Sequence, residues 1–142
     1  MFQRLLSLFK PEKYHTKMTQ FIQFGLVGFS GLVLDTCTVY LLRHIIGLTA
    51  STLLAYFIAA TSNWLINRLW TFRGAGKKKK YINQWLTFLI TNIFGFCLNR
   101  GSVLILFYFS PTCVAHPIIA LVIGAAAGMF ANFNLSRKLV YR

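Results

Sequence analysis

Two opposite charges stand inside apolar runs of this chain: Asp35 ends FIQFGLVGFSGLVLD, and Arg100 sits in NIFGFCLNRG. An ionised side chain at mid-membrane costs about 2.5–3.5 kcal/mol on insertion scales, so such residues mark substrate or ion paths by default. At a helical rise of 1.5 Å per residue, Asp35 lies about 21 Å and Arg100 about 22 Å into their runs. Equal depth predicts an ion pair across the bundle, one that opens to let Arg100 meet an anion. A second polar group lies shallower. Asn63, Asn92 and Asn132 are each about 10 Å inside one end of their runs by the same rise, with Asn67, Arg68 and Arg137 nearer the surface. Amides offer hydroxyl groups both donors and acceptors, and guanidinium suits phosphate. The same side chains also serve to bond helices together or to fix topology, and spacing leaves both uses open.

Other chemistry has little to work with. Glu12 and Asp35 are the only carboxylates, so paired acid–base catalysis is excluded. His15, His44 and His116 have no metal-ligand spacing, and Cys37, Cys97 and Cys113 form no CxxC. No phosphate loop, zinc-protease or nucleophile-elbow pattern occurs. No catalytic residue, metal site or cofactor is expected.

The elements that must position these residues are membrane spans. Of 142 residues, 56% are hydrophobic and 12% charged, with mean hydropathy +0.60; a soluble domain carries about 25% charged residues. Residues 21–42, 49–70, 85–109 and 114–135 are each long enough to cross about 30 Å of hydrocarbon. The net charge of +13 therefore points to anionic membrane lipids, and not to nucleic acid. The expected fold is an all-α integral membrane protein with four transmembrane helices. Residues 1–10, with Phe2, Leu5, Leu6 and Phe9 on one face, predict a short interfacial helix. The domain plan is an amphipathic helix and polar linker over residues 1–19, then a transmembrane domain over 20–142. Its halves are about 20–73 and 84–142, with a basic loop at 74–83.

Those halves repeat each other. NWLINRLWTFR at 63–73 returns as NFNLSRKLVYR at 132–142, an offset of 69 residues. On that offset Ser51, Ala55, Ala59 and Asn63 match Ala120, Gly124, Gly128 and Asn132. Both are stripes of small residues that let helix backbones approach closely in lipid. On a separate offset, Gly31 and Asp35 match Gly95 and Asn99. The repeating unit is a helical hairpin, so the copies are parallel, related by an axis along the membrane normal.

FIQFGLVGFSGLVLD, NWLINRLWTFR and NFNLSRKLVYR, in that order, resemble the GtrA-like family of small bacterial membrane proteins over residues 20–142. The second copy departs from the first at Leu139, where the first has Trp70. The resemblance implies a flippase without chemistry of its own in the bacterial inner membrane. It would move a polyprenyl-phosphate-linked sugar, such as undecaprenyl-phosphate glucose, to the outer leaflet for cell-surface polysaccharide glycosylation. The expected cargo-binding residues are Asp35, Asn63, Asn67, Arg68, Asn92, Arg100, Asn132 and Arg137. Implied partners are that lipid, anionic membrane lipids and a membrane glycosyltransferase; a homo-oligomer is compatible with so small a bundle. Two other readings stand beside it: a membrane anchor that recruits a glycosyltransferase, and a proton-coupled transporter with Asp35 as its proton site.

Orientation follows from the basic residues. With both termini cytoplasmic, 13 of the 15 Lys and Arg fall inside, and only Arg43 and Arg100 do not. We expect a single cysteine placed at Lys78, in a cysteine-free background, to resist membrane-impermeant maleimide in intact cells and to label in inverted vesicles. Strong labelling from outside would invert the topology.

Overall fold

The computed structural model describes residues 13–76 and 78–142, which form helices and short connections with no strand among the described residues. Helix α1 spans Lys13–Ile46, and α2 spans Leu48–Ile66 and runs on into a wider turn at Asn67–Thr71. After the basic loop come α3 (Tyr81–Phe109), a short α4 (Pro111–Ala115) and α5 (Pro117–Leu135), which ends in a second wide turn at Ser136–Val140.

The long helices are apolar on their outward faces, where Leu41, Ile45, Leu53, Ile90, Tyr108 and Phe130 are exposed. Such a surface is suited to lipid and would be an aggregation hazard in water. Three segments among the described residues are long and apolar enough to cross a membrane: Lys17–Ile46, Tyr81–Phe109 and Ile118–Val140. Helix α2 is diluted by Ser51, Thr61, Ser62 and Asn63 and falls outside that set.

Local chemistry explains the breaks. Gly47 has φ 83°, a left-handed conformation that glycine adopts without a Cβ penalty, and it alone separates α1 from α2. The connection left between the expected spans 21–42 and 49–70 thus narrows to a single residue. Between α3 and α5 the chain instead makes α4. Ser110 caps it by accepting from the Cys113 N–H at 3.3 Å, and Pro111 opens it, where a missing N–H does no harm. The last long helix accordingly starts at Pro117, three residues later than the apolar run suggests. At the other end, residues 13–20 are helix and not a linker, since nothing in KYHTKMTQ breaks a helix once Pro11 is passed. The expected interfacial helix lies outside the described residues.

Helix α1 packs mainly on α2, and α3 mainly on α5; lighter contacts of α2 with α3 and of α1 with α5 join the two pairs. The stripes of small residues face inward. Ser51, Ala55 and Ala59 on α2 are buried, as are Ala120, Gly124 and Gly128 on α5. The α3–α5 contact is close, because a Cβ on Gly124 would stand 2.8 Å from the Asn99 carbonyl oxygen and one on Gly128 2.9 Å from that of Gly95. Backbone has no rotamer with which to yield. Gly128→Leu should therefore lower detergent-solubilised stability by about 1–3 kcal/mol or more, as overpacking does, while Ile119→Leu on the exposed face should leave it unchanged. Equal melting temperatures for the two variants would remove the close-packing argument.

Candidate functional site

An aromatic cluster closes one end of the bundle. Phe24, Phe72, Phe88, Phe133 and Tyr141 are all buried in it. Phe72 and Tyr141, equivalent positions of the sequence repeat, stack with centroids 4.5 Å apart at 15°. Phe24 meets Phe72 at 6.2 Å and 65°, and their counterparts Phe88 and Tyr141 meet at the same 6.2 Å and 65°. The wide turns that deliver the stacked rings also match. The Phe72 N–H donates to the Asn67 carbonyl at 2.8 Å, and the Tyr141 N–H to that of Ser136 at 2.9 Å. Both bonds close a π-type turn, a device common at functional sites. The Tyr141 hydroxyl donates to the Trp64 carbonyl at 2.8 Å. Burial raises its pKa, with Arg68 nearby pulling weakly the other way, so the phenol stays a donor.

Above this floor lies a cavity of about 410 Å³ with walls from α1, α2, α3 and α5. Phe24 and Phe88 belong to both cluster and cavity. Five asparagines line it: Asn63, Asn67, Asn92, Asn99 and Asn132. No Lys, Arg, Asp or Glu is in the lining. Glycines make the room. The Asn63 amide lies against Gly31, and the Asn132 amide against Gly95, each where a Cβ would stand. The two contacts are repeat equivalents. Both Asn63 Oδ1 and Asn132 Oδ1 are buried without a hydrogen-bond partner. Gly28 faces the cavity, and a Cβ there would meet nothing within 4 Å.

The expected site residues thus divide. Asn63, Asn67, Asn92 and Asn132 come together in the cavity. Asn99 joins them, unmarked as a site residue by sequence reasoning although its match to Asp35 was a signal. Asp35 is half-buried on α1 and outside the lining. The expected Asp35–Arg100 ion pair is not formed; among the described residues there is no ion pair at all. Arg100 is exposed, its guanidinium 5.8 Å from the ring centroid of Phe96, itself a cavity residue. One residue is about 100° of helix rotation, so Asn99 faces in and Arg100 faces out.

The two arginines of the quoted motifs also differ. Arg68 donates to Gln84 Oε1 and lies 4.2 Å from the Tyr81 ring centroid. Gln84 is wholly buried; its Oε1 also accepts from Trp64 Nε1 at 3.2 Å, and its Nε2 donates to the Val140 carbonyl at 3.2 Å. Arg137, the counterpart of Arg68, instead borders a hollow with Lys138 and Arg142. Gln20, the counterpart of Gln84, keeps a buried Oε1 without a partner. One half of the repeat ties its arginine down and the other does not.

Helices apolar toward their surroundings and polar toward a shared interior define a multi-pass integral membrane protein. It belongs to the GtrA/DPMS transmembrane-domain family, whose model the sequence matches over residues 23–142. No curated protein matches it.

The broken equivalence of Gln84 and Gln20 makes a prediction. Gln84→Leu strands Trp64 Nε1, Arg68 and the Val140 carbonyl, and should cost about 1–3 kcal/mol. Gln20→Leu deletes an acceptor that already lacks a partner and should leave the melting temperature level or higher. Equal losses would mean the two glutamines do the same work.

Proposed function

We propose that this protein carries a polyprenyl-phosphate-linked sugar across the bacterial inner membrane, with four spans arranged as two parallel hairpin repeats. The observation that carries the reading is the asparagine cavity inside a lipid-facing bundle. A sugar hydroxyl entering hydrocarbon without a partner loses about 1–3 kcal/mol, and several such losses make unaided crossing prohibitive. Five amides in a space within the usual range for small-molecule sites, about 300–1,000 Å³, offset them. The prenyl tail needs no help and stays in the bilayer.

Helix α2 is the fourth span in this reading. With only Gly47 between them, α1 cannot cross unless α2 returns alongside it. The matched ring geometries of the two halves support the parallel repeat. The phosphate travels at the mouth of the cavity, where Arg100 stands over Phe96, while Arg137, Lys138 and Arg142 attract it at the cytoplasmic surface. No bond of the cargo is made or broken. The structure favours this over a proton-coupled exporter, since Asp35 is not in the cavity wall. An anchor for a glycosyltransferase would have no use for the cavity.

Delivery of labelled polyprenyl-phosphate glucose to the outer leaflet of proteoliposomes tests the reading. Gly28→Leu should fill the cavity without a clash and cut delivery at least tenfold at unchanged melting temperature. Arg100→Ala should do likewise, because it breaks no ion pair; breaking a structural one costs about 3–5 kcal/mol. Wild-type delivery by a stable Gly28→Leu protein would overturn the proposal.

A further inference from the structure

Resting on that reading, we infer that the isoprenoid chain of the cargo docks in an apolar groove between α1 and α5, and that its sugar enters the cavity through the seam behind. The repeat supplies an internal comparison, because the α2–α3 and α1–α5 seams occupy equivalent places in it. The α2–α3 seam is bonded across by side chains. Trp85 Nε1 donates to Thr61 Oγ1 at 3.1 Å, and Trp64 and Arg68 both donate to Gln84 Oε1. Phe57 adds an edge-on ring contact with Trp85 at 5.5 Å. On the two repeat offsets Trp85, Thr61 and Trp64 correspond to Phe21, Phe130 and Phe133, whose side chains form no such bond. Gln20 stands in for Gln84 with its Oε1 unpartnered. Where no hydrophobic force draws helices together, packing and interhelical hydrogen bonds decide which seam parts first. The α1–α5 seam is the weaker one.

Along that seam a groove of about 410 Å³ lies between Met18 and Phe21 on α1 and Phe130 and Phe133 on α5. Lys17 and Asn134 are the polar members of its lining. By helical rise they lie about 6 Å nearer the cytoplasmic end than Phe21 and Phe130 respectively. The groove is thus basic at its shallow end and apolar below, which matches a lipid phosphate at Lys17 with its chain beneath. Three rings and a thioether suit an isoprenoid, whose repeated double bonds and methyl branches pack flat against them. A single layer separates this groove from the cavity. Phe133 meets Phe21 edge-on at 5.2 Å, and meets Phe24, a cavity residue, at 5.7 Å. One turn deeper the Met129 methyl lies against Gly25, 2.6 Å from where a Cβ would stand, and both residues line the cavity. Their counterparts at the bonded seam are Ala60 and Leu89, neither of which has a thioether. A methionine re-seats readily. Its swing off Gly25 admits the sugar while the chain stays on the lipid side.

Bridging each seam in turn tests this, in a cysteine-free background reconstituted into proteoliposomes. One variant joins Phe21→Cys to Phe130→Cys with a short bis-thiosulfonate, and the other joins Thr61→Cys to Trp85→Cys. The first bridge should cut delivery of labelled polyprenyl-phosphate glucose about tenfold or more, with recovery on reduction. The second should leave delivery within about twofold. Photo-crosslinking gives an independent readout. Benzoylphenylalanine in place of Met18 should capture the same lipid in phosphatidylcholine nanodiscs, whereas in place of its counterpart Ile82 it should not. Lys17→Gln should lower that capture severalfold and Lys17→Arg should retain it, and about tenfold excess phosphatidylglycerol should not compete. Unchanged delivery across the first bridge, lost delivery across the second, equal capture at the two positions, or competition by phosphatidylglycerol would each overturn the inference. Translocation would survive any of these so long as the unbridged protein delivers. If the unbridged protein captures the lipid at Met18 without delivering it, the groove stands and translocation falls.

Discussion

The contact between an asparagine and a glycine, made once in each half, sets much of what the rest of the bundle does. Asn63 lies against Gly31 and Asn132 against Gly95, at positions where any side chain on the glycine would collide. The contact requires the helices of a pair to sit close, which the buried stripes through Ala59 and Gly128 permit. The gap lies about one turn nearer the aromatic floor, where a Cβ on Gly28 would meet nothing within 4 Å. In lipid no hydrophobic force draws helices together, so packing of this kind must hold the pairs. An amide that lies on a glycine touches it without bonding to it, so its oxygen is buried without a partner.

Charge and hydrogen-bonding capacity are kept apart. The cavity wall holds amides and no formal charge. The cations sit at its rim or beyond: Arg100 over Phe96, Arg68 fixed by Gln84 and Tyr81, Arg137 beside Lys138. A charge within the wall would demand a counter-ion or a large desolvation cost, whereas neutral amides tolerate an empty site. The division suits a cargo that is itself divided into a neutral polar part, an anionic link and an apolar tail.

Much of this was legible because duplication writes the same physics twice. The offset of 69 residues marked Phe72 and Tyr141 as equivalents, and they meet face to face. The stripes predicted which faces pack, and the asparagines at their ends do share a cavity. What failed was direction around the helix. Counting rise gave Asp35 and Arg100 a common depth but said nothing of azimuth, so an ion pair was expected between residues that do not meet. Asn99, in register with Gly95 on one face, held the usable signal. Gln84 escaped notice because a lone glutamine in the first turn of a helix looks solvated, and only its pairing with Gln20 on the second offset would have drawn attention to it. Arg68 was read as free for cargo because its holder, Gln84, was not seen.

The reversal at Gly47 bears on how the chain enters the bilayer at birth. A loop of one residue gives almost no hydrated backbone to drag through hydrocarbon, and the basic side chains near it are Arg43 and His44, which hydrogen-bond to each other at 3.1 Å. Two helices so joined have a low barrier to entering together as a preformed hairpin, with their backbone hydrogen bonds already satisfied. The second pair is joined by the longer connection of Ser110, α4 and His116, where the capped turn of α4 satisfies part of the polar backbone. The cavity draws its walls from both helix pairs, α1 with α2 and α3 with α5, and exists only once the two pairs have met.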